Sequence, residues 1–141
     1  MINKINIPSS DNEVKISKIT WNKKTITLKS GFRTGLKADE IWESIQEYME
    51  LFHDGKADNK SIRKFLELSE KYISIITSKE DCEWILDYID SNYSMGDGIE
   101  ELITILYVFY LTLSGCTQEE INEFFRKLDE ESTNNNKETD N

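Results

Sequence analysis

Histidine and cysteine are scarce in this sequence of 141 residues, which contains one histidine and two cysteines. Zinc sites and nucleophilic catalytic triads are built largely from these residue types. His53 cannot complete a usual zinc shell with Cys82 and Cys116, because the two cysteines lie far apart and form no CxxC motif. We therefore predict no metal site, no catalytic residue and no enzymatic activity, with both thiols reduced and buried.

Glycine and proline are also scarce, since the sequence contains six glycines and one proline. Segment 31–37 holds two glycines and two basic residues, but its spacing departs from the GxxxxGK[ST] pattern of a phosphate-binding loop. We predict a polar link there and no bound cofactor. Pro8 lies within residues 1–12, which have no periodic apolar face and are predicted to form a flexible arm.

No apolar run in the sequence is long enough to cross a bilayer. The longest, from Ile103 to Leu113, contains Thr104 and Thr112 and falls short of the roughly 20 residues that a spanning helix needs. The first residues also lack the continuous apolar stretch of a secretory signal. We expect a soluble cytoplasmic protein with no membrane partner.

Basic residues are outnumbered, with 17 against 27 acidic residues and a formal net charge of -10. The mean field of such a protein repels phosphate backbones, so nucleic acid is not an expected partner. The basic residues near the start alternate with apolar ones, and we interpret them as the solvated face of a sheet rather than as a docking patch. They are Lys15, Lys18, Lys23, Lys24, Lys29, Arg33 and Lys37.

Apolar residues recur at regular spacing along most of the chain. Alternating β-branched and aromatic residues between Val14 and Leu28 predict a β-hairpin. After it, apolar residues recur at steps of three and four, which predicts five helices. Their predicted bounds are near 38–53, 61–77, 78–92 and 97–114, with a last helix opening at a capping box on Thr117.

The predicted fold class is mainly α, a compact bundle of about five helices with a short N-terminal β-hairpin. One domain is predicted over residues 13–131, since the length suits a single core. After Glu131 the sequence contains no apolar residue, so residues 132–141 are predicted to form a disordered tail.

The fourth predicted helix has almost no polar face. A helix that is apolar all round is enclosed by its own domain or covered by another chain. We expect the bundle to leave part of it exposed, next to the last helix, as a groove for a partner helix or a sister subunit. The predicted protein-binding residues are Leu106, Phe109, Tyr110, Leu113, Phe124 and Phe125.

Segment 93–102, with the sequence YSMGDGIEEL, is a turn followed by Asp-Gly and an apolar residue at the start of this helix. It is similar to a segment that opens a late helix in the tail assembly chaperones of long-tailed bacteriophages of Gram-positive hosts. The short N-terminal strands, acidic helical body and polar tail resemble that family in organisation, most closely over 41–113. The resemblance implies a protein that coats the phage tape measure protein and helps recruit tail tube subunits, with a tail suited to linking a frameshifted extension.

Two other classes of function stay open. A small phage or mobile-element inhibitor, of the anti-CRISPR or antirestriction type, is also acidic and compact, and acts by protein binding or DNA mimicry. Mimicry needs carboxylates laid out along one exposed surface, whereas the chaperone needs an exposed apolar groove. A small enzyme would need a pocket that converges on His53 or on paired carboxylates.

Overall fold

The computed structural model describes residues 17–139, with side chains as far as Glu131. The predicted fold class is confirmed, since this part of the chain forms a two-stranded hairpin and a bundle of five helices. The predicted arm at 1–12 lies outside the described residues, so its disorder stays a prediction. Where the sequence predicts a disordered tail from residue 132, the backbone of 132–139 continues the last helix; the side chains of these residues and all of 140–141 lie outside the described part. The elements are β1 (Ser17–Trp21), β2 (Lys24–Leu28), α1 (Phe32–His53), α2 (Asn59–Ile76), α3 (Lys79–Asn92), α4 (Met95–Leu113) and α5 (Gln118–Thr139).

The hairpin closes through Asn22 and Lys23, which have φ angles of 49° and 69°. Two-residue turns with both central residues at positive φ match the right-handed twist of the paired strands. On the inner side of β2, Ile26 and Leu28 are fully buried. The alternation that predicted the strands therefore also sets which face packs on the helices.

Trp21 fastens the hairpin to the helices. Its indole Nε1–H donates a hydrogen bond to the Glu101 carboxylate of α4 at 3.1 Å. Its ring lies edge-on to Trp84 and Tyr88 of α3, with centroid separations of 5.8 and 5.2 Å. Aromatic pairs in such geometries contribute about 0.5–1.5 kcal/mol beyond the area they bury, so these contacts help to hold the sheet against α3 and α4.

Side-chain caps fix the starts of α3 and α5. The Ser78 hydroxyl accepts a hydrogen bond from the Asp81 backbone N–H at 3.1 Å. At α5 the Thr117 hydroxyl accepts from the Glu120 N–H, and the Glu120 carboxylate accepts from the Thr117 N–H, both at 3.2 Å. The predicted capping box is confirmed, because this reciprocal pair satisfies two backbone donors that a helix start otherwise leaves open.

Helix α4 begins at Met95, not at Asp97 as predicted. Ser94 occupies the N-cap position without a side-chain capping bond, and Asp97 lies in the first turn, where its charge suits the positive end of the helix dipole. Gly98 is buried against α3, because a Cβ placed on it would lie 3.4 Å from the Ile89 side chain. The first turn of this helix is thus supported by contact with α3 and has no side-chain cap.

Helix α1 begins at Phe32, well before the predicted start near Ala38. The prediction of a polar link was wrong for 32–37, where the Gly35 N–H donates to the Gly31 carbonyl at 2.7 Å. No local sequence pattern indicates this start, because it has neither a side-chain cap nor an acidic residue in its first turn. These turns are helical without the local features that usually stabilise a helix start.

We expect the substitution Gly35→Ala to raise the free energy of unfolding by up to about 1 kcal/mol, since glycine in a helix interior costs about that much relative to alanine. A Cβ at this position meets no atom within 4 Å, so no clash offsets the gain. Urea denaturation measures the difference. Gly31→Ala is the matched control at the N-cap, where alanine is not preferred and no gain is expected. Equal stability of Gly35→Ala and wild type would mean that 32–37 is not helical in solution.

The core runs through β2 and helices α1 to α4. Trp42 of α1 lies near its centre and stacks on Tyr110 with a centroid separation of 4.4 Å. The rings of Tyr72 and Tyr107 lie 5.7 and 5.4 Å from it. This cluster joins the first, second and fourth helices, so the N-terminal half of the bundle is held against the end of α4.

Candidate partner-binding groove

An apolar groove of about 490 Å³ opens between α2, the end of α3 and the start of α4. Binding pockets commonly have volumes of about 300–1,000 Å³ and mostly apolar linings. We call it the groove throughout. It is lined by Ile62, Phe65, Leu66, Glu70, Leu86, Asp87, Ile89, Asp90, Tyr93, Ser94, Met95, Gly98, Ile99 and Leu102.

The floor of the groove is buried and its mouth exposes large apolar side chains. Phe65 and Leu102 at the floor belong to the core. At the mouth, Leu66 of α2 and Met95 of α4 are 49% and 69% exposed. Exposed apolar side chains gathered around a concavity mark a binding surface, and methionine adapts readily to the shape of a partner.

The rim of the groove is acidic. Glu70, Asp87 and Asp90 are exposed there, and no lysine, arginine or histidine lines it. None of these three carboxylates takes part in an ion pair with another described residue. The groove therefore favours an apolar partner surface flanked by basic groups, because charge complementarity at a rim steers association and selects partners.

Gly98 lies at the inner end of the groove, where α3 and α4 approach each other. The chain turns sharply from α3 into α4, and a Cβ at Gly98 would lie 3.4 Å from Ile89 and 3.7 Å from Tyr93. A larger side chain would enter the space between the two helices. The segment 93–102, which carries the family resemblance, thus contributes one wall of the groove.

Two of the predicted binding residues are core residues instead. Leu106 and Phe109 are both fully buried, so they cannot contact a partner while the domain is folded, and their prediction was wrong. The sequence shows only that α4 is apolar on all sides. Which side faces the core depends on where the hairpin and the other helices pack.

The other predicted residues are half-buried at the far end of α4 and on α5. Tyr110 and Leu113 line a smaller cavity of about 200 Å³ beside the start of α1. Phe124 and Phe125 pack edge to face on each other with a centroid separation of 5.3 Å. None of these four residues lines the groove, and their role in binding stays a prediction.

The side chains that carry reactive chemistry lie away from the groove. His53 is exposed at the end of α1, with its Nδ1 3.4 Å from the Asp54 carboxylate. Cys82 is buried, and burial raises the pKa of its thiol, which disfavours the nucleophilic thiolate. Cys116 is half-buried, not buried as predicted, and both cysteines are free. In the part of the chain that the structure describes, no three potential ligands converge on a metal site.

None of the helices within residues 17–139 has the length and apolar content to cross a bilayer. No known protein family, curated protein or solved structure matches this chain significantly. The groove is therefore the feature of the molecule from which its function is inferred.

Proposed function

We propose that the protein is a non-enzymatic binding protein that holds an amphipathic helix of another protein in the groove. The observation that carries this proposal is an apolar groove with exposed Leu66 and Met95 at its mouth and an acidic rim. Helix-in-groove recognition places apolar side chains spaced three and four residues apart into such a groove. The acidic rim selects helices whose apolar stripe is flanked by lysine or arginine.

More specifically, we propose that the protein is a bacteriophage tail assembly chaperone. The support for it is the resemblance of segment 93–102 together with the position of that segment on the groove wall. The partner would then be the tape measure protein, a long helical protein whose apolar stripe needs to be masked until tail tube subunits gather around it. The protein would act in the host cytoplasm and bind neither nucleic acid nor membrane, in keeping with its net charge of -10.

We expect Leu66→Glu to reduce the affinity for a co-expressed candidate tape measure protein more than about tenfold, so that the two proteins no longer co-purify. A carboxylate at the mouth would have to be desolvated against the apolar stripe of the partner. Leu66 is already half exposed, so the variant should remain folded by circular dichroism. Leu128→Glu is the matched control, because Leu128 is an exposed leucine on α5 outside the groove.

Two outcomes would count against the proposal in different ways. Equal co-purification of both leucine variants and wild type would show that the partner binds elsewhere. If the co-expressed tape measure candidate stays insoluble and forms no complex with the protein, the phage chaperone hypothesis is rejected. In that case, titration with a lysine-flanked amphipathic peptide, and with its glutamate-flanked counterpart, still tests the groove, since only the basic peptide should bind and added salt should weaken it.

A further inference from the structure

The start of α1 presents two large apolar side chains to solvent. Phe32 is 83% exposed and Leu36 is 58% exposed. They are four residues apart in one helix, so they lie on the same side of it, one turn from each other. This pair forms an apolar ridge at the end of α1, which we call the α1 ridge.

The helix that carries the α1 ridge has weak local support. It starts without a side-chain cap or an acidic residue, and Gly35 lies between the two ridge residues. Arg33 lies in the first turn and brings positive charge to the positive end of the helix dipole, which is unfavourable. A surface that covers the ridge would both bury apolar area and stabilise a helical segment that the sequence alone favours little.

The α1 ridge matches the groove in shape, as a helix that would fit a helix-binding groove, and in charge, as a basic surface that would meet an acidic rim. Two apolar side chains at i and i+4 are the anchors that a helix-binding groove accepts. The basic residues Lys29, Arg33 and Lys37 are exposed around the ridge, and the exposed carboxylates of Asp39 and Glu40 follow at its inner end, one turn further along α1. The groove rim carries exposed carboxylates and no basic residue. In a chain with a net charge of -10, a basic apolar ridge is the local exception that an acidic apolar groove would select.

The ridge cannot reach the groove of its own molecule. Gly35 and Ala38 share a cavity with Tyr110 and Leu113, which places the start of α1 at the C-terminal end of α4. The groove lies at the N-terminal end of the same helix, around Met95 and Gly98. The 19 residues of α4 span about 28 Å at the rise of an α-helix, so the two surfaces sit at opposite ends of the bundle.

We propose that, when no partner is bound, the α1 ridge of a second copy of this chain occupies the groove. The inference rests on the proposed function in that it takes the groove as a helix-binding site. Each contact is heterologous, since the ridge of one copy meets the groove of the next, and such contacts extend into open chains or close into rings. A partner helix competes for the same groove, so partner binding and self-association exclude each other at every site.

Complementation between two variants tests this contact. Phe32→Glu removes the ridge and leaves the groove intact, whereas Leu66→Glu removes the groove and leaves the ridge intact. We expect wild type to self-associate with rising concentration in sedimentation velocity at low salt, and each variant to stay monomeric. An equimolar mixture of the two variants should form a dimer and stop there, because only one intact ridge and one intact groove face each other.

Met95→Glu provides a second groove variant, and Leu128→Glu provides the control that should assemble like wild type. Three results would overturn the proposal: a monomeric wild type at all concentrations, assembly of Phe32→Glu alone, or a monomeric mixture while wild type assembles. Partner binding is scored separately, because Phe32→Glu keeps its groove and should bind a lysine-flanked amphipathic peptide at least as well as wild type. Loss of peptide binding with successful complementation would count against the proposed function and leave the self-association standing.

Discussion

Phe109→Ala lowers the free energy of unfolding by about 3–5 kcal/mol, the range for truncating a buried phenylalanine. Phe109 is fully buried and belongs to the core cluster, so the substitution leaves a cavity whose walls lose their contacts. Domains of this size are stable by about 5–15 kcal/mol in total. The variant should therefore unfold at a much lower urea concentration, as followed by circular dichroism.

Phe125→Ala is the matched control for this prediction. The sequence pattern predicts both phenylalanines as binding residues, but Phe125 is only half-buried on α5. We expect Phe125→Ala to cost clearly less stability than Phe109→Ala. If Phe109→Ala instead left stability unchanged and reduced partner binding, the sequence-based hypothesis of a binding surface on this face of α4 would be restored.

A steep loss of stability is expected above about pH 10, the usual pKa of tyrosine. Burial raises the pKa of the Tyr72 phenol well above that value, and the nearby charge of Asp39 adds to the shift. The raised pKa means that the folded state keeps the phenol proton while the unfolded chain releases it. The contribution of Tyr72 is therefore complete below about pH 10 and falls by about 1.4 kcal/mol for each pH unit above it.

Comparison with Tyr72→Phe isolates this effect. Urea unfolding at about pH 9 and about pH 11 gives the change in stability for each protein, and the change should be smaller in the variant by about 1.4 kcal/mol. Some alkaline sensitivity should remain, because burial also raises the pKa of Tyr107. Equal changes in wild type and Tyr72→Phe would show that the Tyr72 phenol is not desolvated in the folded protein.

The elements with strong local determinants could be predicted from the sequence. The start of α5 was predicted at a capping box that the structure contains, and the hairpin followed from alternation of apolar residues. The starts of α1 and α4 were missed because neither has a side-chain cap. At α4 the close approach of Gly98 to Ile89 is a tertiary contact, which no local pattern reveals.

The groove could not be located from the sequence, although one signal for it was present. The apolar stripe of α2 includes Ile62 and Leu66 as well as the buried Phe65, and it is wider than the core can cover. The exposed Leu66 belongs to that excess. The apolar sequence of α4 instead favours Leu106 and Phe109 as binding residues, because an all-apolar helix does not show which of its sides other elements will bury.

The hydrogen bond from Trp21 to Glu101 joins residues 80 positions apart, which matters while the chain is being synthesised. Synthesis adds about 5–20 residues per second, so Glu101 of α4 is made about 4–16 s after Trp21. An isolated two-stranded hairpin is at best marginally stable in water, and Trp21 lacks its ring contacts until α3 is made and its hydrogen bond until Glu101 follows. The hairpin, the first element among the described residues, thus completes its contacts only after α4 has been made.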